Sequence, residues 1–206
     1  MPSPLWIKIC GLSTPASVDA AVDAGADAVG FVFASGSPRE VTPEVARSLV
    51  ERVPAGVGAV GVFRDQPVDV VLRTASAAGV STVQFHGHEH PADFERARAA
   101  GFGVIRATTA ERWLGESDAE HDEFGAHRLL LDAPDPGAGA TFDSAGLLET
   151  PPRGPWVLAG GLRPDNVARL VAMLRPAGVD VSSGVESSRG VKDVDAIRRF
   201  VAAARG

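Results

Sequence analysis

A single cysteine, Cys10, is the only thiol in these 206 residues. Without a second one, an intrachain disulfide and a multi-cysteine zinc site are both excluded. Long apolar runs are missing too: no stretch reaches the roughly 18 uncharged apolar residues that a membrane helix needs. The opening residues, MPSPLWIKIC, show no basic flank followed by an apolar core and a small-residue cleavage site. No secretory signal is therefore expected, and the expected compartment is the cytoplasm. Positive charge is also in deficit. Twenty Lys and Arg stand against 26 Asp and Glu, and the formal charge of −6 argues against nucleic acid or an anionic membrane as partner. A local cluster of backbone amides can still hold a phosphate. Neither a GxxxxGK[ST] loop nor a glycine-rich dinucleotide fingerprint occurs, so no nucleotide cofactor is indicated. His86, His88 and His90 alternate in a way that admits metal ligation, but a polar loop start is the favoured reading and no metal is expected.

What the chain has in quantity is apolar content, 45% of residues, enough for one well-buried core and too little length for two ordinary domains. Residues 1–206 therefore read as one domain. Its dominant pattern is an apolar, β-branched run, a polar turn and an amphipathic stretch, recurring about every 20 to 30 residues as a βα unit does. The runs that read as strands are Leu5–Cys10, Ala28–Phe33, Gly58–Phe63, Thr82–Phe85, Gly103–Arg106, Arg128–Asp132, Trp156–Leu158 and Val179–Val181. Their near-continuous apolar content suits parallel strands covered on both faces. Helix starts are marked by Thr14-Pro15 and Thr42-Pro43, with Pro67, Pro91 and Pro164 in similar positions. Gly25, Gly79 and Gly178 are expected to close helices in the left-handed conformation. Residues 107–126 are polar and acidic and read as a poor helix or a loop. Eight βα units in a chain this short predict an α/β fold, a compact (β/α)8 barrel, over an open doubly wound sheet.

In such a barrel the active site lies at the carboxyl ends of the strands, which shortens the search. Strand one ends in Cys10 and strand six in Asp132, across the mouth from each other. Lys8 shares the face of Cys10 one layer deeper, where its cation would favour the thiolate, an effect that a pair with Asp180 across the seam would temper. Asp180, near the end of strand eight, faces Lys8 across the seam once the barrel closes, and is a candidate substrate contact. Gly160 and Gly161 follow strand seven, and Ser183 and Gly184 follow strand eight, the usual place for phosphate in these barrels. Segment 183–188 can also open a short extra helix facing the anion. Arg39, after Pro38, offers a planar fork to a carboxylate or phosphate. Arg106 is a second cation, better suited to an acidic neighbour. Gln84 and His86 line the wall without a proton-transfer role. Each residue alone has a plainer reading: Cys10 as core filler, Asp132 as a cap, the glycines as tight turns, Arg39 as a surface charge.

Together the motifs resemble a known family. Lys8-Ile9-Cys10-Gly11-Leu12, Ser37-Pro38-Arg39, Gln84-Phe85-His86-Gly87, Leu130-Leu131-Asp132-Ala133, Leu158-Ala159-Gly160-Gly161-Leu162, Asp180-Val181-Ser182-Ser183-Gly184-Val185-Glu186 and Gly190-Val191-Lys192-Asp193 appear in the order found in the phosphoribosylanthranilate isomerases of tryptophan biosynthesis. The resemblance implies a cofactor-free Amadori rearrangement of N-(5-phosphoribosyl)anthranilate to 1-(2-carboxyphenylamino)-1-deoxyribulose 5-phosphate. It implies Asp132 as general acid at the ring oxygen and Cys10 as general base at C2′. It also implies Arg39 on the anthranilate carboxylate, and phosphate on the loops after strands seven and eight. The expected partner is thus a small phosphosugar, and the expected assembly a monomer or homodimer. The chain departs from the family at Phe85 and His88, where QLHGDE is usual. It departs again at 137–144, where GGTGKTFDW is usual and the loop is expected to fold over the phosphate. Two rivals remain at this point: a related barrel acting on a histidine-pathway aminoaldose, against which Cys10 speaks because an aspartate is typical there, and a non-catalytic phosphate-ligand binder.

Overall fold

The computed structural model describes residues 4–132 and 144–206. Eight strands close into a parallel barrel in sequence order: β1 (Trp6–Cys10), β2 (Ala28–Val32), β3 (Gly58–Phe63), β4 (Thr82–Phe85), β5 (Gly103–Thr109), β6 (Arg128–Asp132), β7 (Trp156–Leu158) and β8 (Gly178–Val181). Closure is made by β1 pairing with β8, with Lys8 opposite Asp180 and Ile9 opposite Val181. The helices are α1 (Pro15–Asp23), α2 (Pro43–Val50), α3 (Val68–Ala78), α4 (Pro91–Ala99), α5 (Ala110–Gly115), α6 (Asp118–Glu123), α7 (Ser144–Glu149), α8 (Val167–Leu174) and α9 (Val194–Arg205). A short hairpin, β9 (Glu186–Ser188) with β10 (Val191–Lys192), follows a single 3₁₀ turn at Ser183–Val185.

Alternation along the strands makes two cores. Outward residues such as Ile7, Ile9, Val29, Phe31, Val83 and Phe85 pack under the helices. Inward residues, Ala28, Val60, Ile105, Ala107, Leu130 and Val157, fill the barrel with Trp6 at one end. Cys10, Val32 and Val62 form a separate apolar group. The departure at Phe85 is absorbed in the outer core, where its ring lies 4.6 Å from that of Phe94. His88 is a surface residue whose backbone N–H donates to Asp65.

The helix starts follow the sequence signals. Thr14 caps α1 and Thr42 caps α2, each before a Pro, and His90 caps α4 before Pro91. Pro67 is itself the cap residue of α3, and Pro164 lies ahead of α8 rather than in its first turn. Gly25 and Gly79 adopt the expected positive φ. Gly178 does not, because it opens β8; α8 ends instead on Arg175 at φ 48. A side chain at 178 would meet the Trp6 carbonyl oxygen at 2.7 Å, so the strand needs the glycine for contact rather than for a turn. Residues 107–126, expected as a poor helix or a loop, are largely helical. Strand β5 runs on to Thr109, and two helices follow, capped by Thr109 and Ser117. Capping by short polar residues stabilises helices whose composition alone is poor. The segment 183–188 is a 3₁₀ turn and a strand, not an extra helix. Of the loop after β6, residues 137–143 lie outside the described residues.

Phe31 is wholly buried between barrel and helices. Phe31→Ala should lower unfolding free energy by about 3–5 kcal/mol, read as a lower urea midpoint at constant m-value. A loss below about 1 kcal/mol would contradict this packing.

Candidate active site

Eight of the residues singled out in the sequence line one cavity of about 690 Å³ at the carboxyl ends of the strands: Cys10, Arg39, Asp132, Gly160, Gly161, Asp180, Ser183 and Gly184; Lys8 and Arg106 do not. The placement follows from the fold. Cys10 ends β1 and Asp132 ends β6, so two strands separate them around the closed barrel, and the glycine turns follow those two strands. Val32, Val62, Ala159 and Leu162 supply apolar wall between the polar groups. Such a lining, mostly apolar with a few convergent polar groups, suits a small polar ligand held in one orientation.

Cys10 is 7% exposed. Its register partner on β2 is Gly30, where an added Cβ would lie 3.0 Å from the sulfur and 3.1 Å from Lys8 Cε. The missing side chain on β2 makes room for the thiol and the lysine together. Lys8 is fully buried beneath, its Nζ 2.9 Å from Asp180 Oδ1. Burial opposes the charged form of Lys8, but Asp180 and then Cys10 outweigh it, and its pKa stands above the ordinary lysine value. For Cys10 the balance falls the other way from the sequence expectation. Burial pushes the thiol up, Lys8 pulls it down, Asp180 pushes it up again, and the net direction is upward. The cation below the thiol is already paired, so it cannot compensate the lost hydration of a thiolate.

Asp132 is partly exposed to the cavity, and its Oδ2 lies 3.2 Å from His86 Nε2. The other ring nitrogen of His86 faces the Gln84 amide nitrogen at 3.4 Å. His86 therefore touches the carboxyl directly, a contact that the sequence reading missed by treating it as wall. Alternation along β4 places Gln84 inside the barrel, but nothing in the spacing reveals that His86, just past the strand, reaches across to β6.

The two glycine turns are in contact. Gly160 and Gly161 have φ of 79° and 63°. A Cβ at Gly184 would sit 1.7 Å from the Leu162 carbonyl oxygen, so the loops after β7 and β8 meet at a spacing only glycine permits. Arg39 reaches the cavity from the loop after β2, but it is not free. Its Nε and Nη2 donate to Glu186 Oε1 and Oε2 at 2.6 and 2.9 Å. Glu186 also accepts from Lys192 and from the Gly190 N–H. Burial raises the pKa of this carboxyl, but Arg39, Lys192 and Gly190 outweigh it and hold the pKa at about 2. The sequence reading assigned Glu186 and Lys192 no role, since only the hairpin brings them to Arg39. Arg106 points outward, pairs with Glu116 at 2.5 Å and stacks 3.6 Å from the Phe124 ring centroid. No cluster of three or more metal-ligating side chains occurs among the described residues.

Residues 7–203 match the family model described as N-(5′-phosphoribosyl)anthranilate isomerase. A relative of that name from Deinococcus radiodurans is 44% identical over 202 residues, covering 97% of this chain and 96% of its own. Among solved structures, TrpF from Jonesia denitrificans superposes with a TM-score of 0.88 at 44% identity, over 98% of this chain and 97% of that one. A phosphoribosyl anthranilate isomerase bound to reduced 1-(o-carboxyphenylamino)-1-deoxyribulose 5-phosphate gives 0.84 at 37% identity, over 98% and 99%.

The upward shift of the thiol is open to measurement. Alkylation of Cys10 by iodoacetamide should rise with pH to a midpoint above the free-cysteine value of about 8.5, since only the thiolate reacts. A midpoint at or below that value would mean that Lys8, not burial, dominates.

Proposed function

Since the chain belongs to the N-(5′-phosphoribosyl)anthranilate isomerase family and so isomerises N-(5′-phosphoribosyl)anthranilate in tryptophan biosynthesis, we propose that Cys10 is the general base and Asp132 the general acid of the rearrangement. The observation that carries this reading is the cavity shared by a thiol from β1 and a carboxyl from β6, with the glycine turns of β7 and β8 between them. Ring opening needs a proton donor at the furanose oxygen, and enolisation needs a base at the neighbouring carbon on the other side. Asp132 protonates the ring oxygen as its bond to C1′ breaks, leaving an iminium between C1′ and the anthranilate nitrogen. Cys10, as thiolate, then takes the C2′ proton, and the electron pair moves into the iminium to give the enolamine. Loss of the C2′ hydroxyl proton and protonation at C1′ yield the ketone, so no oxidant or reductant enters.

The electrostatics fit this order of events. Burial raises the pKa of the thiol, and a thiolate of raised pKa is the stronger base once its proton has left. The iminium brings a positive charge to the thiol at the step that needs the thiolate. His86 holds the carboxyl of Asp132 toward the cavity. Gly160, Gly161, Ser183 and Gly184 would present backbone and hydroxyl donors to the phosphate. Arg39 would hold the anthranilate carboxylate, and Asp180, beyond its bond to Lys8, the sugar hydroxyls. We read residues 1–206 as one catalytic domain acting in the cytoplasm as monomer or homodimer. In support, the thiol is single, and no helix among the described residues is long and apolar enough to cross a membrane.

An anthranilate-fluorescence assay tests the roles. Cys10→Ala and Asp132→Asn should each lose at least about two to three orders of magnitude in kcat. His86→Ala, which frees the carboxyl without removing it, should lose less than either. Near-normal turnover in Cys10→Ala or Asp132→Asn would refute the assignment.

A further inference from the structure

Resting on the reading of Arg39 as the carboxylate grip, one arrangement calls for explanation: a grip already paired with a buried carboxylate should be neutralised by it. Glu186 is 5% exposed and takes both Nε and Nη2 of Arg39, leaving the Nη1 edge for a ligand. An isolated Arg–Glu pair has no net charge and offers little to an anion. Here a third group intervenes. Lys192, 2% exposed, places Nζ 2.8 Å from Glu186 Oε1, 2.8 Å from the Ser182 carbonyl and 3.3 Å from Ser182 Oγ. An ammonium has three protons, and these partners account for all of them. Lys192 therefore acts through Glu186 rather than on a ligand. The triad Arg39, Glu186 and Lys192 carries one net positive charge; Arg39 and Glu186 both line the cavity, and of the two side chains Arg39 is the more open, 21% exposed against 5%.

The backbone is shaped to hold this triad. An added Cβ at Gly190, in the hairpin turn, would lie 2.6 Å from the Pro38 carbonyl oxygen, so the hairpin seats directly on the loop that carries Arg39. On the other side, a Cβ at Gly11 would lie 2.5 Å from Arg39 Cδ, so the arginine stem rests on the end of β1. Ser182 links the hairpin to the same strand end by donating its hydroxyl to the Cys10 carbonyl at 3.2 Å.

We propose that the β9–β10 hairpin is a charge-compensating clamp: Glu186 is the positioning residue that aims Arg39, and Lys192 supplies the counter-charge that leaves Arg39 electrostatically available to the substrate carboxylate. A fixed fork gains geometric precision from a bidentate partner. That gain would come at the expense of the positive field unless the partner's own charge were cancelled from behind. The two residues divide these tasks.

Steady-state kinetics on three variants separate this clamp from general structural support. Lys192→Met keeps the length of the buried stem and brings the triad to zero charge, and should raise KM about tenfold or more with kcat within about threefold. Glu186→Gln/Lys192→Met removes both charges, restores the single positive charge of Arg39 and keeps one acceptor to aim it, and should bring KM back well below that of Lys192→Met though not to the wild-type value. A merely structural role predicts the reverse, a double variant at least as impaired as Lys192→Met, and that result would overturn the clamp. With N-phosphoribosylaniline, which lacks the carboxylate, Lys192→Met should leave KM within about twofold; an equal rise there would show that the charge serves the phosphate and would also overturn it. Arg39→Ala tests the underlying reading separately. An unchanged KM in Arg39→Ala would remove the grip itself, whereas a raised KM there with an unchanged KM in Lys192→Met would remove the clamp alone. Thermal melts accompany each variant, and the double variant is expected to fold at least as well as Lys192→Met, because no buried carboxylate is left without its ammonium.

Discussion

Closure of the barrel between β1 and β8 is the constraint from which the site follows. That seam sets Lys8 against Asp180, residues 172 positions apart, and brings the last loops of the chain beside its first strand. With the seam made, all eight strand ends share one rim, and the short strand-to-helix loops have no choice but to face one another over it. The carboxyl from β6 and the thiol from β1 then meet a common cavity without any loop having to travel. The pair at the seam is buried, and a buried ion pair adds little net stability over an apolar one. Its value lies in register and in charge: slipping β1 by one residue would turn Lys8 and Cys10 out of the barrel.

Cations gather at the mouth of an acidic molecule, each accompanied by a carboxylate. The chain as a whole is acidic, with a formal charge of −6, yet the groups behind the cavity include Lys8, Arg39 and Lys192. Each of these cations is held by a carboxylate, Asp180 or Glu186, and so kept in place. For Lys192 burial wins and its pKa falls below the ordinary value, with Glu186 opposing; for Arg39 the bonds to Glu186 win and its pKa rises. A dianionic phosphate with an aromatic carboxylate is the kind of ligand that such a mouth favours. The acidic outer surface does not compete, because exposed charges beyond a Debye length of about 8–10 Å are screened.

The fold was legible in the sequence because each strand is a predominantly apolar run, and such runs are what a doubly covered parallel strand requires. Cys10, Asp132 and the glycine turns were legible because the barrel fixes where chemistry sits once the strand ends are known. The parts that escaped depend on long-range geometry. His86 meets Asp132 across two strand positions of the rim, and Glu186 meets Arg39 through a hairpin, contacts with no signature in spacing. The direction of the Cys10 pKa escaped for a different reason: the charges of Lys8 and Asp180 were visible, but the degree of burial that tips the balance was not. In 107–126 the caps Thr109 and Ser117 decided for helix against an unpromising composition. At 178 the glycine serves a close approach to Trp6 on the next strand, not the turn that its sequence context suggests.

The central claim is spatial: acid and base approach one sugar from two sides while the arginine fork holds its aromatic end. A crystal structure of this chain with reduced 1-(o-carboxyphenylamino)-1-deoxyribulose 5-phosphate tests it most directly. The account predicts the Cys10 sulfur against C2′, the Asp132 carboxyl on the opposite side of the sugar chain, and the ligand carboxylate on the free edge of Arg39. A ligand seated with either side chain turned away from it, or with its carboxylate in solvent, would contradict the account.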